Sequence, residues 1–469
     1  MCGIFGFSLI RQLEASDVEI GIRQLESVSH RGPDGQGHEA FYEQGVFIGH
    51  RRLAIIDTSD RASQPMSRGR FTLAHNGEIY NFVELRESLK KKGVKFTTTS
   101  DTEVLLNAWR NDGVDCLQEF DGMFAFALFD GDVTNLVTDP FGEKPLYLVQ
   151  QDEGVYYASE PAALIELLGL RFEPDENELA AFFTLGFIPA PGTGFKNLQR
   201  VEPGSHIVIT KGKITRVVRY WTPAEPVRPR GEFNPATESQ IDIIAESLVE
   251  SLEVRLRSDV PMSIFLSSGV DSALIAAIAA KELNTDIPTI TVGFDGIGVH
   301  DESSSAAEIA NYLGLNHEVI QGDRTGGVDA LDLLIDLYGC PNDNTTAIPS
   351  YDMASAVRSS ATVALSGIGG DEIFYGYNKY QYFYEHSGVL SLPRSMRTIT
   401  SWLSSITRHK TAADSLRRSK HWTYANYKNV GIWDLLERIS GLERWGDEFF
   451  NEYSQPQYLA ARHFDLTHV

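Results

Sequence analysis

Cys2 follows Met1 and precedes Gly3 in MCGIFGF. A small residue at position 2 permits removal of Met1, which would leave a cysteine with a free α-amine. An amine of ordinary pKa about 7.7–8.0 beside a thiol is a nucleophile carrying its own general base. A second constellation is IFLSSGVDSA (264–273), where an apolar strand runs through Ser267-Ser268-Gly269-Val270-Asp271-Ser272 directly into a helix. That junction aims backbone amides and hydroxyls at an anion above a helix N-terminus. It is not a Walker loop, because no Gly-Lys-Ser/Thr follows. The third is ALSGIGGDEIFYGY (364–377): strand, glycine turn, then acidic residues opening a helix. Ser366 and Gly367 sit at a strand C-terminus, where doubly wound folds place ligands.

The elements that must position these residues divide into two kinds. Up to about residue 210 the chain is β-rich, with apolar runs at 46–57, 71–80, 122–130, 135–139, 146–150 and 155–159. Turn residues separate them at 31–37, 129–132 and 152–154, and amphipathic stretches interrupt at 81–92 and 102–112. Sheets with helices packed on their faces are expected. YWTPAEPVRPRGEFNPATE (220–238), rich in proline, falls in the expected linker, 211–238. From 239 to 469 the period changes. A helix at 239–257 precedes strands at 262–267, 287–294, 317–320 and 362–367, alternating with helices at 272–283, 304–314, near 328–338 and at 350–359. Strand–helix alternation with apolar, β-branched strands predicts a parallel, doubly wound α/β sheet. The last 90 or so residues read as helical and irregular. Their window 391–420 holds seven Lys/Arg and one Asp, which fits a solvated helical face or, as the alternative, an anion-facing surface.

MCGIFGF resembles the start of class II glutamine amidotransferases. HRGPDGQG (30–37), HRRLAIID (50–57), NGEIYN (76–81) and SDTEVLL (100–106) resemble the same family in the same order. The resemblance implies an N-terminal nucleophile fold, an αββα sandwich over residues 2–210, with Cys2 attacking glutamine. It implies Arg52 on the substrate carboxylate, Asp101 on its ammonium, and Asn76 and Gly77 as the oxyanion hole. Glu78 and the backbone from Leu53 to Ile56 would line the pocket. A bidentate guanidinium suits a carboxylate, and uncharged amide donors suit a tetrahedral oxyanion. Taken alone, Asn76-Gly77 would read as a hairpin turn.

The loop at 267–272 resembles the SGGxDS loop of ATP pyrophosphatases, with Ser268 in place of the first glycine, and 364–377 resembles the SGxGxDExFxGY segment of asparagine synthetases. Together with the N-terminal motifs this points to the asparagine synthetase family across roughly residues 2–380. The implied ligands are ATP and Mg²⁺. The resemblance places Leu266, Ser267, Ser268, Gly269, Asp271, Ser272, Val292, Ser366 and Gly367 around ATP, with Asp271 and Asp371 holding the metal. Hard carboxylate oxygens suit Mg²⁺, which takes only one or two of them. The implied activity is ammonia release from glutamine and ATP-driven amidation of a carboxylate, aspartate first by family frequency. The ammonia route is expected along GMFAFALF (122–129) and the domain joint. Alternatives are another carboxylate, such as a uronic acid or a biosynthetic intermediate, and a regulatory member keeping only the glutaminase fold.

The chain departs from the family pattern in three places. Ile368 stands where asparagine-forming members carry Glu, and it is expected to be buried and to weaken aspartate use. Thr138 replaces an arginine in TDPFGEKPLY (138–147), a segment read as structural. The chain ends at AARHFDLTHV without the RxPFLD segment and its lysine, so a fragment, or a member lacking those parts, is expected. Cys116 is read as core and Cys340 as structural; His30, His50 and His75 are read as packed neighbours, since no pair has zinc spacing.

Composition sets the outer bounds. The chain has 469 residues with 41 Lys+Arg against 64 Asp+Glu, a net charge of −23, which repels phosphate backbones and argues against nucleic acid. Three cysteines make no disulfide framework, so a reducing, cytoplasmic setting is expected. No apolar run approaches the ~18 residues of a membrane span, and no signal peptide opens the chain. The partners expected are small molecules, with a homodimer left open.

Overall fold

The structure is a computed structural model that describes residues 1–168, 173–223, 236–293, 301–322, 328–342, 344, 346–374, 376 and 377. The basic window at 391–420 and the C-terminal stretch expected to be helical and irregular both lie outside the described residues.

The N-terminal half is built from β1 (Gly3–Leu9), α1 (Ala15–Ser27), β2 (Gly35–Phe41), β3 (Val46–Arg52), β4 (Met66–Arg68), β5 (Phe71–Ile79), α2 (Phe82–Lys91), α3 (Asp101–Asp112), β6 (Gly122–Phe129), β7 (Thr134–Thr138), β8 (Tyr147–Gln151), β9 (Gly154–Ala158), α4 (Pro161–Leu168), α5 (Glu176–Leu185), β10 (Leu198–Arg200), β11 (Ser205–Thr210) and β12 (Lys213–Arg219). Among the described residues the strands form two six-stranded antiparallel sheets, ordered β10-β8-β9-β1-β3-β2 and β12-β11-β7-β6-β5-β4. A core containing Ile4, Ile48, Ala125, Ala127 and Tyr157 lies between them. A second core packs α2 and α3 on the β5–β6 sheet through Leu89, Leu105, Trp109 and Phe126. A third packs α1 and α4 on the β1–β3 sheet through Leu25, Leu164, Phe7 and Phe47. Helix, sheet, sheet, helix is therefore the layer order, the expected αββα sandwich. Covered on both faces, β1 and β7 are buried at every residue, and β1 (GIFGFSL) is apolar almost throughout rather than alternating.

Some elements escaped the pattern. The expected turn at 31–37 gives way to β2 at Gly35. This edge strand has no apolar run, and Gly37 is needed because a Cβ there would meet Gln64 O at 2.3 Å. The apolar run at 46–57 is strand only to Arg52, and residues 53–59 are irregular and lie at the pocket. Strand β12 pairs along its length with β11, so this sheet continues past residue 210.

The C-terminal half contains α6 (Glu238–Arg255), β13 (Met262–Phe265), α7 (Val270–Ala277), β14 (Thr289–Gly293), α8 (Ser303–Leu313), β15 (His317–Gln321), α9 (Val328–Tyr338), α10 (Ala347–Val357), β16 (Val363–Leu365) and α11 (Gly370–Phe374). The strands pair in parallel in the order β15-β14-β13-β16. α6, α7 and α8 share one core with β13 through Leu252, Ile264, Ala276 and Ala306. After β15 the chain returns past β14 and β13 to β16. With right-handed crossovers, that reversal puts α10 on the opposite face. The sheet is doubly wound, and its switch point lies between β13 and β16, where a crevice opens at the strand C-termini.

Candidate functional site

The first site follows from strand register. β1 and β3 are antiparallel neighbours with Gly3 opposite Arg51, so Cys2 and Arg52 meet at the end of the sheet. They line one pocket of about 50 Å³ with Leu53, Ile56, Asn76, Gly77, Glu78 and Asp101. The structure thus brings together every residue that the sequence placed on glutamine.

Cys2 Sγ receives Leu53 N–H at 3.4 Å and lies 3.6 Å from Leu53 O. Burial pushes the thiol up, against the Leu53 contact and the neighbouring amine, so a partner must take its proton. That amine is suited to do so. Burial, helped by the charges of Arg31 and Lys144, lowers the chain's α-amine to about 6, so it is mostly neutral at pH 7. Met1 carries this amine here and lines the pocket, its Sδ 3.3 Å from Lys144 Nζ. Arg31 Nε donates to Cys2 O at 2.8 Å and its Nη1 pairs with Glu160 at 2.8 Å. Burial would raise Glu160, but hydrogen bonds from His30 and Arg31 hold it below the usual carboxylate range.

Asn76 and Gly77 lie within β5, opposite Ala125 and Phe124, and not in a hairpin turn. Asn76 is fully buried, yet neither atom of its amide has a hydrogen-bond partner among the described residues. A buried amide without partners is costly, and an arriving oxyanion would accept its N–H. Gly77 has φ +147°, and a Cβ there would meet Met123 O at 2.0 Å, so only glycine permits this wall.

Asp101 opens α3 behind the N-cap Ser100, whose side chain accepts from Glu103 N. Its carboxylate accepts from Ile79 N (3.1 Å) and Thr102 N (2.8 Å). Arg52 donates to Ser59 O (2.9 Å), to Asp57 O and to Ile56 O (3.4 Å). Burial, with the charge of Asp101, raises Glu78 to about 7.

Sequence reasoning missed Gln64, Thr102, Met123 and Lys144 as pocket walls. Lys144 stands in the TDPFGEKPLY segment, which was read as structural. The fully buried Asp139 does organise that turn, accepting from the backbone N–H of Phe124, Phe141, Glu143 and Lys144. The outcome is to aim a buried lysine at the pocket, and burial holds its pKa below the ordinary value. In a turn that also carries Asp139 and Glu143, no local pattern marked this lysine as a pocket wall. The three histidines pack as expected: His50 on His75 O (2.9 Å), His75 near Thr102, His30 on Glu160. Among the described residues no group of three or more His, Cys, Asp or Glu could hold a metal ion.

The second site is a crevice of about 690 Å³ at the switch point. Leu266, Ser267, Gly269, Asp271, Ser272, Val292, Ser366, Gly367, Ile368 and Asp371 line it. Ser267 Oγ and Ser272 Oγ are 2.8 Å apart, and Gly269 N donates to Ser267 Oγ at 3.1 Å. Ser268 belongs to the loop but is not among the lining residues; its N–H donates to Glu302 Oε2 at 3.0 Å, so an amide of the loop already holds an anion. A Cβ on Gly367 would meet Asp271 Cβ and Ser272 N at 2.8 Å, so glycine lets the two loops close on each other. One on Gly370 would meet the Asp271 carboxylate at 2.5 Å, which places that group on the backbone just before Asp371. Asp271 and Asp371 both face this crevice, and carboxylate oxygens suit a hard cation such as Mg²⁺. Ile368 corrects an expectation. It is 89% exposed in the crevice and not buried, because it tops the glycine turn after β16.

Comparison with known proteins agrees with this division of the chain. A glutamine amidotransferase domain family matches residues 1–221, and an asparagine synthase family matches residues 244–465. Asparagine synthetase [glutamine-hydrolyzing] 1 of Bacillus subtilis is 36% identical over 390 residues, covering 81% of this chain and 60% of that protein. The chain belongs to the asparagine synthetase family. Another relative is asparagine synthetase [glutamine-hydrolyzing] 3 of Bacillus subtilis, 30% identical over 80% of this chain and 63% of that protein. The chain therefore spans about three fifths of these relatives' length. Amidase chyE of Penicillium rubens is 26% identical over 94% of this chain and 67% of its own. Among solved structures, glutamine phosphoribosylpyrophosphate amidotransferase of Bacillus subtilis aligns at TM-score 0.37 and 20% identity, over 71% of this chain and 70% of that one. Along this chain the glutamine amidotransferase match precedes the asparagine synthase match.

Proposed function

We propose that this family member is a glutamine-dependent amidotransferase: the first site releases ammonia and the second amidates a carboxylate at the expense of ATP. The observation that carries the first step is the orphaned Asn76 amide beside Gly77, facing the same pocket as Cys2, Arg52 and Asp101. Arg52 takes the carboxylate of glutamine and Asp101, with Glu78, its ammonium. The α-amine accepts the thiol proton, and Sγ attacks the side-chain amide. The tetrahedral oxyanion is held by Asn76 Nδ2 and Gly77 N. Collapse expels ammonia, leaving a glutamyl thioester that water hydrolyses. With Met1 retained, the amine and the thiol sit on different residues and Met1 fills part of the pocket, so removal of Met1 belongs to this reading.

In the crevice the adenosine lies against Leu266, Val292, Ser366 and Gly367, and the pyrophosphate against the 267–272 loop. Asp271 and Asp371 would hold Mg²⁺, which supplies charge neutralisation on the phosphates. The acceptor carboxylate displaces pyrophosphate from the α-phosphorus, and ammonia then displaces AMP from the acyl-adenylate. ATP enters by displacing the Glu302 carboxylate from Ser268 N. We place the glutaminase unit from Cys2 to Arg219, with the synthetase unit beginning at Glu238, and assign the protein to the cytoplasm, where its three cysteines stay reduced.

Aspartate, giving asparagine, is the first acceptor proposed, on the names of the Bacillus relatives. The exposed Ile368 favours a second reading. An apolar side chain in the crevice offers nothing to an α-ammonium, which suits an acceptor without one, such as a sugar acid, and one relative carries the name amidase. A panel of carboxylic acids assayed for glutamine-dependent pyrophosphate release tests both. Release of ADP and phosphate in place of AMP and pyrophosphate would sink the proposal.

A further inference from the structure

The irregular loop 53–59 lines the glutamine pocket without belonging to either sheet. Leu53 N–H reaches Cys2 Sγ, and the carbonyls of Ile56, Asp57 and Ser59 hold Arg52. The loop is fastened from the other half of the chain. Asp57 N donates to Asp259 Oδ2 at 2.7 Å, and Asp259 N donates to Ile55 O at 3.1 Å. Asp57 has φ +52°, in the left-handed region, which Asp enters more readily than most side chains but still at some cost. Its carboxylate adds to the constraint by accepting from Ser59 N and Oγ and from Thr99 N.

The same short segment grips the opposite wall. Arg257 Nη1 donates to Tyr80 O at 2.8 Å, and its guanidinium is bidentate on Glu84 at 2.6 and 2.7 Å. The Arg255 guanidinium lies 4.5 Å from the Tyr80 ring centroid. Tyr80 immediately follows β5, which carries Asn76 and Gly77. Residues 255–259 therefore clasp the pocket from both sides. They also lead into β13, whose far end is the 267–272 loop of the ATP crevice.

We propose that Asp259 is a positioning residue for glutamine: it holds loop 53–59 in the conformation that aims Arg52, and through β13 it ties that conformation to the nucleotide loop. This rests on the reading of the pocket as a glutaminase site. Without the Asp259 carboxylate, Asp57 relaxes from its left-handed conformation and its carbonyl leaves Arg52. Glutamine binding then weakens, while Cys2 and the oxyanion donors keep their places on the strands.

The test compares Asp259→Ala with Asp259→Asn in the full chain. Asn keeps a carbonyl oxygen for Asp57 N–H. The Ala variant should raise KM for glutamine about tenfold, a loss of about 1.4 kcal/mol, with kcat little changed and ammonia-dependent pyrophosphate release intact. The Asn variant should stay near wild type. An unchanged KM in the Ala variant overturns the proposal, as does parallel loss of ammonia-dependent activity or an Asn variant as poor as Ala. If the Ala variant does not fold, Asp259→Ser, whose hydroxyl falls short of Asp57 N, is measured instead. Alkylation of Cys2 by a diazoketone analogue of glutamine separates the two levels. No labelling of wild type refutes the glutaminase reading, whereas equal labelling of wild type and the Ala variant refutes only the role of Asp259.

Discussion

The two sites solve opposite problems. The Cys2 pocket is about 50 Å³, and its strands β1, β3 and β5 are covered on both faces. The crevice beside β13 is about 690 Å³, and Ile368 in its lining is 89% exposed. Covalent attack on an amide needs a thiol, a base and oxyanion donors fixed to a fraction of an ångström, which strands deliver and loops do not. A nucleotide and a second substrate need room, and the ends of parallel strands supply backbone amides at the rim of a cleft. The burial that fixes the first site also tunes it, lowering the amine to about 6 and raising Glu78 to about 7. In the second site fixed charge, from Asp271 and Asp371, takes the place of burial.

The sharpest way to break this contrast is at Cys2. Cys2→Ala should lower glutamine-dependent amidation by at least about 10³-fold, since nothing else in the pocket can attack, while ammonium chloride still supports the reaction. Equal loss with both nitrogen sources would mean that the sites are not separable. The mirror experiment is Asp271→Asn or Asp371→Asn. Each should remove several kcal/mol of transition-state stabilisation, about 10³-fold in ATP cleavage, with glutamine hydrolysis intact. Chromatography of AMP and of glutamate reads the two halves separately.

Asn76→Ala should lower the glutaminase rate about 10²-fold or more without lowering the melting temperature, because its amide has no partner to lose. A fall in stability instead would make Asn76 structural. The pH profile is next in size. With Met1 removed the base is the α-amine of Cys2, active only when unprotonated, so glutamine hydrolysis should fall as pH drops below the range of that amine, ordinarily about 7.7–8.0. Ammonia-dependent synthesis, compared at a fixed concentration of free NH3, should lack that limb. The smallest effect is expected from Ile368→Glu. At 89% exposure a carboxylate there stays hydrated, so stability should move by less than about 0.5 kcal/mol, and the change is read as a shift in preference between aspartate and acids without an ammonium. Rapid turnover of aspartate by the wild type would show that Ile368 is tolerated.

The family motifs and the strand–helix alternation after residue 238 were legible because each is local. Cys2, NGEIYN and LSSGVDSA declare their chemistry by residue type within a few positions, and apolar period reports burial directly. Edge strand β2 and helix α1 were not legible, since half-exposed elements have no need of an apolar run. Tertiary structure alone decided the rest. It turned Lys144 from part of a turn into a pocket wall, through the backbone grip of Asp139. It brought Ile368 out of the core into a substrate crevice, and it set Asp259, more than two hundred residues away, on the N–H of Asp57. Sequence specifies which groups can react; the distances that let them do so arise from long-range packing, which no local pattern encodes.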